Sequence, residues 1–195
     1  ERAEELVGRC LASKRQVGYR NKLELAAMTS SDDSLALGFA REGSHEPVVP
    51  ASCPIAVSSI QKAPKALRGA LRFLAGSELG IFRVGVRGSV RTKDVEIALW
   101  TAPGAFPRAA AAKTLGSALK ASSVVRVLAD PGKARKVKKV EVLAGKGFWE
   151  EDLLGYRFRT SAPSFFQVNT AQAEKLVEAA IDGLSEGLPG GLSGM

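Results

Sequence analysis

Cysteine and histidine are scarce in this chain, and their scarcity excludes several classes of protein. The 195 residues include two cysteines, Cys10 and Cys53, and one histidine, His45. Two cysteines are too few for the disulfide framework of a small secreted domain, so we expect a reducing, cytoplasmic environment. His45 lies in a turn-like Gly-Ser-His-Glu sequence, where we expect an exposed loop side chain rather than a catalytic group.

Long apolar runs and leader-like sequences are also missing. No apolar run approaches the roughly 20 residues of a membrane span, so we expect no membrane segment. The first five residues, Glu-Arg-Ala-Glu-Glu, lack the apolar stretch of a secretory signal, so we expect none. Neither a phosphate-cradling glycine loop nor a dinucleotide-binding glycine motif occurs. No heptad pattern persists beyond a few turns, and we expect a monomer.

Negative charge is in deficit. Lys and Arg number 28 against 20 Asp and Glu, which gives a formal net charge of +8 and a pI near 9.7. A surplus of this size favours a polyanionic partner such as RNA, DNA or anionic lipid. We expect a nucleic acid; a basic protein without any polyanionic partner is the alternative.

Two periodicities divide the chain into strands and helices. Strands are predicted at 19–25, 35–39, 81–90, 95–101, 123–128 and 136–143, with short ones near 147–149 and 156–159. Helices are predicted at 1–14, at 55–75 with Pro64 as a kink or boundary, at 106–120, and from Asn169 onward. This succession predicts an α+β fold with a largely antiparallel or mixed sheet and helices packed on it.

The last of these helices has the clearest start signal. Asn169 is a good N-cap, and Gln172 follows three residues later. The helix then carries an apolar stripe made of Leu176, Val177, Ala180, Ile181 and Leu184.

Two segments carry the most specific patterns in the chain. The first is Gly18-Tyr19-Arg20-Asn21-Lys22-Leu23-Glu24-Leu25, followed by Leu37-Gly38-Phe39, Gly43-Ser44-His45-Glu46 and Cys53-Pro54. The second is Phe158-Arg159-Thr160-Ser161-Ala162-Pro163-Ser164-Phe165-Phe166-Gln167-Val168-Asn169-Thr170. In this order and at this distance they resemble the bacterial family of S-adenosylmethionine-dependent RNA uracil-C5 methyltransferases, which modify ribosomal and transfer RNA. The resemblance covers roughly residues 15–185.

The resemblance implies a substrate-binding role for the Phe-Phe-Gln-Val-Asn segment. A uracil in folded RNA must be flipped out of its stack before it reacts, which costs a few kcal/mol. Phe165 resembles the family position that packs at the base, and Gln167 the one whose amide hydrogen-bonds uracil. The alternative is that Phe165, Phe166 and Val168 are core residues and Gln167 a solvated strand residue.

Basic residues in three places are candidates for RNA contact. Arg20 and Lys22 share one strand face and are assigned with Phe165 and Gln167 to substrate binding; a solvated strand face is the alternative. A second run, for which a charged edge strand is equally natural, is assigned to the RNA backbone: Lys133, Arg135, Lys136, Lys138 and Lys139. In Tyr156-Arg157-Phe158-Arg159, aromatic and basic residues alternate; one buried aromatic face is preferred there over stacking on RNA.

Cys53 resembles, in some family members, the fourth thiolate of a [4Fe–4S] cluster whose other ligands lie in an upstream Cys-rich segment. Two thiolates cannot satisfy a cluster that needs four. An iron–sulfur cluster is therefore not expected, and Cys53 is a candidate ligand only in a longer parent protein.

The resemblance also defines what this chain is expected to lack. The family reaction uses a cysteine that adds to uracil C6, a glutamate base and a glycine-rich loop for S-adenosylmethionine, all C-terminal to the last helix. We therefore assign no catalytic residue and expect no methyl donor bound to this chain. Residues 1–155 are assigned to a central, RNA-binding and substrate-positioning domain, and residues 156–195 to the truncated start of the methyltransferase domain.

The expected function is thus the RNA-binding part of an rRNA or tRNA uracil-C5 methyltransferase, inactive by itself. Two alternatives stay open. One is a stand-alone RNA-binding module, and the other is a structural or partner-docking domain with an incidental basic surface.

Overall fold

Alternating apolar residues build one large sheet in the computed structural model, which describes residues 7–29, 34–44, 46–74, 79–132 and 136–187. Its strands are β1 Lys22–Thr29, β2 Leu35–Ala40, β3 Pro47–Val48, β4 Ile81–Gly88, β5 Val95–Thr101, β6 Ser123–Leu128 and β7 Lys139–Gly145. Their order is β3-β2-β1-β4-β5-β6-β7. Neighbours are antiparallel except β5 and β6, which are parallel. The predicted α+β fold with a largely antiparallel sheet is confirmed.

Two helices, α1 Ala63–Phe73 and α2 Arg108–Leu119, cover one face of the sheet. The helix α2 also provides the crossover that two parallel strands require. Alternation along β1 turns Leu25 towards the helices, where it packs in one buried cluster with Leu67 of α1 and Leu115 of α2. All three side chains are 0% exposed, so this face carries the main hydrophobic core.

The opposite face of the sheet is mixed in character. It carries a smaller apolar cluster that includes Trp100, Val125 and Ala162. It also carries charged residues from β1, β4 and β5, namely Lys22, Glu24, Arg83, Arg87 and Glu96. This polar face supports the C-terminal part of the chain.

The C-terminal part consists of a hairpin and a long helix. The strands β8 Trp149–Leu153 and β9 Tyr156–Thr160 form a separate two-stranded antiparallel sheet. The helix α3 spans Thr170–Gly187. The predicted N-cap is confirmed, because the backbone N–H of Gln172 donates to Oδ1 of Asn169 at 3.2 Å.

The helix predicted over residues 1–14 is wrong for the part that the structure describes. Residues 7–14 are irregular, and Val7 and Leu11 are 74% and 59% exposed. A short amphipathic helix is stabilised mainly by packing its apolar face on another surface, and these two side chains are not packed in this way. The segment instead lies along α3, where the Leu11 carbonyl accepts from Nε2 of Gln172 at 2.8 Å.

The other predicted helices differ from the structure in extent or burial. The helix expected at 55–75 begins only at Ala63, since Pro64 occupies its first turn and residues before it form turns. On α3 the predicted stripe is largely on the surface, with Leu176 and Leu184 61% and 62% exposed. Within the described ranges, no helix has the length and apolar character needed to span a membrane.

Two glycines provide a test of the fold. Gly145 has a φ of +74°, and a Cβ there would lie 1.9 Å from the Ser122 carbonyl oxygen. We expect Gly145→Ala to lower the free energy of unfolding by more than about 1 kcal/mol. Gly69 of α1 is the matched control, because a Cβ added there would have no atom within 4 Å. Gly69→Ala should raise the free energy of unfolding by about 0.5–1 kcal/mol. Urea denaturation measures both; equal effects would contradict the described pairing of β6 and β7.

Candidate nucleic-acid interface

Residues 161–169 link β9 to α3 and are tied to the polar face of the sheet by a buried arginine. Arg87 of β4 is 2% exposed. Its Nη1 donates to the Ser161 carbonyl at 2.9 Å, and its Nη2 donates to the carbonyl of Ser164. Its guanidinium also lies 5.6 Å from the centre of the Trp149 ring. Arg87 therefore determines where this segment crosses the sheet.

The other end of the segment is held by Asn21, just before β1. The Asn21 amide Nδ2 donates to the Gln167 carbonyl at 2.9 Å and to Oγ1 of Thr170 at 3.0 Å. Its backbone N–H donates to the Val168 carbonyl at 2.8 Å. Thr170 in turn donates to Oε2 of Glu151 at 3.0 Å. Because Asn21 is 3% exposed, these bonds form in a water-poor setting where their geometry is well defined.

Between these two anchors, Phe166 is half-buried, and its neighbours Phe165 and Gln167 are exposed. Phe166 packs edge-on against Trp149, with ring centres 5.3 Å apart, and lies 6.2 Å from Phe158. Phe165 is 80% exposed, and Gln167 is also exposed. The structure thus presents an aromatic ring and an amide, two residues apart, on the solvent side of a backbone held at both ends.

Arg20 and Lys22 lie beside this anchored segment. Lys22 is paired in register with Arg87 across β1 and β4. Its Nζ lies 2.8 Å from Oε1 of Glu24, and the Lys22 side chain is 19% exposed. Nε of Arg20 donates to the Lys22 carbonyl at 2.8 Å. The charge of Lys22 is therefore partly neutralised by Glu24, whereas Arg20 is bound to a backbone carbonyl. Arg20 is thus the better candidate of the two for contact with an RNA phosphate.

The second basic run lies far from the first. Lys136 precedes the edge strand β7, Lys138 is 2.6 Å from Asp130, and Lys139 is 3.7 Å from Glu141. Lys133 and Arg135, like His45, lie outside the described residues. Four strand spacings separate β1 from β7, which amounts to about 19 Å. A single extended RNA would be needed to touch both basic groups.

A cleft of about 450 Å³ lies between residues 13–21 and the start of α3. Its walls carry cations such as Arg91 and Lys175, and carboxylates such as Glu174. Arg91 binds Glu174 through two nitrogens at 2.5 and 2.6 Å, and this bond holds the pKa of Glu174 down at about 2. Neither Phe165 nor Gln167 lines the cleft. The candidate base site at Phe165 and Gln167 therefore lies outside this cleft.

The thiols and carboxylates of the described residues do not form a metal site. No group of three or more His, Cys, Asp or Glu within those ranges is arranged to hold a metal ion. Cys53 is a free, half-buried thiol that packs against the core on the helical face of the sheet. Cys10 is free and exposed.

The strand–loop–helix connection from β5 to α2 has no free backbone cradle for S-adenosylmethionine. Its loop has a single glycine, Gly104, and the carbonyls of Ala102 and Gly104 accept from Nη2 of Arg126 at 3.1 and 3.3 Å. The guanidinium of Arg126 also covers the Phe106 ring at 4.3 Å. This loop does not fit the methyl donor, so we assign no donor site to it.

Sequence reasoning missed the two anchoring residues and misjudged the hairpin. Arg87 stands near the end of an alternating strand, where a charged residue between Val86 and Gly88 was the available signal. Asn21 lies inside the Tyr-Arg-Asn-Lys motif but was not given a role. The preference for one buried aromatic face at 156–159 is wrong, because Tyr156 and Phe158 are 72% and 41% exposed.

Glu96 is the most perturbed carboxyl on the polar face. It is 1% exposed, and its Oε2 is buried without a hydrogen-bond partner. Burial raises the pKa of Glu96 to about 7, although the nearby cations Arg87 and Lys22 favour its charged form. Burial likewise lowers the pKa of Arg87. The two groups therefore share a site that tolerates charge poorly.

Comparison with known proteins gives a consistent set of relatives. An uncharacterized RNA methyltransferase of Thermosynechococcus vestitus is 31% identical over 181 residues, which cover 88% of this chain and 40% of the relative. One from Gloeobacter violaceus is 28% identical over 204 residues, which cover 94% and 43%. The chain thus spans about two fifths of the length of the curated relatives it matches. No protein-family model matches it.

A solved structure shares the fold. The Pyrococcus abyssi tRNA (uracil-54, C5)-methyltransferase, solved in complex with S-adenosyl-L-homocysteine, matches with a TM-score of 0.68 at 20% identity. The match covers 87% of this chain and 42% of that one. At this level of identity the likeness establishes the α+β architecture.

Replacement of Arg87 tests the anchor. Arg87→Met removes two charge-assisted hydrogen bonds and leaves Glu96 beside an apolar side chain, so we expect the free energy of unfolding to fall by about 3 kcal/mol. Arg83→Met, on the same strand face, is the matched control. The Arg83 side chain is 38% exposed, and its ion pair with Glu24 is long, at 3.8 Å. Its replacement should therefore lower the free energy of unfolding by less than about 0.5 kcal/mol. Similar losses in urea denaturation would refute the role of Arg87.

Glu96 should make stability depend on pH. Between the ordinary carboxyl pKa and about 7, the folded state keeps a proton that the unfolded state has lost, so stability falls as pH rises through this window. Glu96→Gln removes this penalty and should stabilise the protein at about pH 8 by on the order of 1 kcal/mol or more, relative to its effect near pH 4.5. An effect of the same size at both pH values would show that Glu96 does not titrate in this way.

Proposed function

Because this chain belongs to the RNA methyltransferase family, we propose that it is the RNA-positioning part of an enzyme that methylates C5 of a uridine in rRNA or tRNA. Relatives named as RNA methyltransferases and a fold shared with a tRNA uracil-C5 methyltransferase support this proposal. In it, residues 1–155 position RNA, and residues 156–195 begin the methyltransferase domain. The protein would act as a cytoplasmic monomer, with S-adenosylmethionine as the methyl donor of the whole enzyme.

The observation that carries the proposal is the exposure of Phe165 and Gln167 on an anchored backbone. A flipped uracil needs a flat apolar wall and a group that pairs with its imide edge. The Phe165 ring provides the wall. The Gln167 amide offers one donor and one acceptor, which match the carbonyl and N–H of uracil. If the backbone were mobile, ordering it on binding would cost conformational entropy. The hydrogen bonds from Arg87 and Asn21 reduce that cost because they hold the backbone in place beforehand.

The alternative that these residues are core residues agrees only with part of the segment. Phe166 does pack against Trp149 and Phe158. Phe165, at 80% exposure, does not belong to the core of the described structure. What favours a binding role over a packing role is the position of this ring beside the exposed Gln167 amide, on a segment held at both ends.

We further propose that this chain presents the uridine and does not perform the transfer. The reaction requires a thiolate that adds to uracil C6, a methyl sulfonium that C5 attacks, and a base that removes the C5 proton before the thiolate leaves. Cys53 lies on the helical face of the sheet, opposite the face that holds Phe165. We assign neither cysteine to the nucleophile.

Binding to matched RNA hairpins tests base recognition. With loops that differ only in uridine or cytidine, we expect the chain to prefer uridine, and Gln167→Ala to reduce that preference about fivefold, the worth of one net hydrogen bond. Phe165→Ala should lower affinity for both loops on the order of tenfold, because a stacking surface is lost. Fluorescence anisotropy measures both.

Two controls separate this reading from its alternatives. Phe73→Ala removes an equally exposed phenylalanine, 82% exposed on α1, and should change neither affinity. Replacing Lys136, Lys138 and Lys139 with alanine should weaken binding of both RNA hairpins equally and make the affinity less dependent on salt concentration. Salt-sensitive binding without uridine preference would favour a stand-alone RNA-binding module, and no RNA binding a docking domain. Methyl transfer from labelled S-adenosylmethionine to total RNA would overturn the proposed inactivity.

A further inference from the structure

The hairpin β8–β9 has two chemically different faces. On one face, Glu150 pairs with Arg159, and Asp152 with Arg157, directly across the strands. Arg157 donates to Asp152 at 2.8 and 3.0 Å, and Arg159 to Glu150 at 3.2 Å. Each arginine of β9 is thus bound to a carboxylate, which leaves this face with little net attraction for phosphate.

The other face of the hairpin carries aromatic rings, together with Glu151, which lies directly across from Phe158, is 2% exposed and accepts hydrogen bonds from Ser89 and Thr170. It carries Trp149, which is 0% exposed, and then Phe158 and Tyr156, which are 41% and 72% exposed. Phe158 and Tyr156 are two residues apart on one strand, so their side chains emerge on the same side about 6.6 Å apart. The buried tryptophan fixes one end of this row, and the two exposed rings face solvent.

This row is continuous with the candidate base site. The Phe166 ring lies 6.2 Å from Phe158 and 5.3 Å from Trp149, so it joins the hairpin to the anchored segment. Phe165 is its immediate neighbour in the chain and is exposed. Tyr156 and Phe158 thus lie next to the anchored segment through the contact of Phe158 with Phe166, and we call these two exposed rings the aromatic row.

We propose that the aromatic row stacks unpaired RNA bases next to the uridine held by Phe165 and Gln167. The proposal rests on the proposed function for its RNA partner, but it concerns different side chains. Single-stranded RNA is bound by exposed aromatic rings on strands, because every base has a face to stack. The charge pattern argues for bases rather than phosphates, since both arginines on the hairpin are already neutralised. The row extends the base site from one nucleotide to a short unpaired stretch.

The test compares two probes that carry the same phosphates. One is a short oligouridine, and the other is an abasic oligonucleotide of equal length. The double variant Tyr156→Leu with Phe158→Leu keeps apolar side chains but removes the rings. We expect its affinity for oligouridine to fall on the order of tenfold and its affinity for the abasic strand to stay unchanged. The slope of affinity against salt should also stay unchanged, because no phosphate contact is lost.

The single variant Tyr156→Leu guards against a loss of folding. Tyr156 is 72% exposed, so this variant should fold normally and still lose severalfold affinity for oligouridine. Phe73→Leu is the control and should bind both probes as the parent chain does. Unchanged oligouridine binding by the single and double variants, or an equal loss on both probes, would overturn the proposal.

The outcomes also separate this inference from the proposed function. If uridine preference survives replacement of Gln167 but the hairpin variants lose oligouridine binding, the aromatic row stands and the base site fails. If the uridine preference depends on Gln167 while the hairpin variants bind normally, the base site stands and the aromatic row is refuted.

Discussion

The guanidinium of Arg87, buried between the sheet and the segment 161–169, is the interaction on which the rest of the site depends. Burying a cation is costly unless hydrogen bonds satisfy it, and here two backbone carbonyls of the segment do so. The sheet can therefore bury this charge only when the segment is in place, and the segment has a defined path only when Arg87 is present. Asn21 repeats the arrangement at the other end.

This mutual dependence explains how an exposed aromatic ring can be ordered. Phe166 packs against Trp149, while its neighbours Phe165 and Gln167 are exposed on a backbone that Arg87 and Asn21 hold in place. The ring and the amide contribute nothing obvious to the stability of the described fold. In the function proposed above, a flipped or unpaired base covers the exposed ring and pairs with the amide.

Charge has a more limited part than the net value of +8 suggests. Several basic side chains of the described structure are already bound to carboxylates, as Arg91 is to Glu174 and Lys138 to Asp130. The remaining surplus attracts polyanions without selecting among them. In the function proposed above, selection comes from stacking and hydrogen bonding, through the aromatic row and Gln167.

Periodicity predicted the regular parts of the fold well. The strands β5 and β6 match their predicted bounds to the residue, because both have a buried apolar face and clear turns beside them. It failed at residues 7–14, where helical spacing had no apolar surface to pack on, and at Tyr156 and Phe158, where alternation did not reveal that the hairpin leaves the main sheet. Phe165 and Gln167 came from a family resemblance. The anchoring role of Arg87 was not predicted, because the sequence near Arg87 does not show which carbonyls, more than 70 residues away, its guanidinium will bind.

Photocrosslinking identifies directly which residues an RNA loop contacts. An RNA hairpin with one 5-iodouridine in its loop is irradiated with the chain, and the crosslinked residue is identified by mass spectrometry. We expect crosslinks to Phe165, and to Tyr156 or Phe158 when the iodouridine is moved to a neighbouring loop position. Crosslinks confined to the basic residues around β7, or to the cleft beside α3, would contradict this expectation.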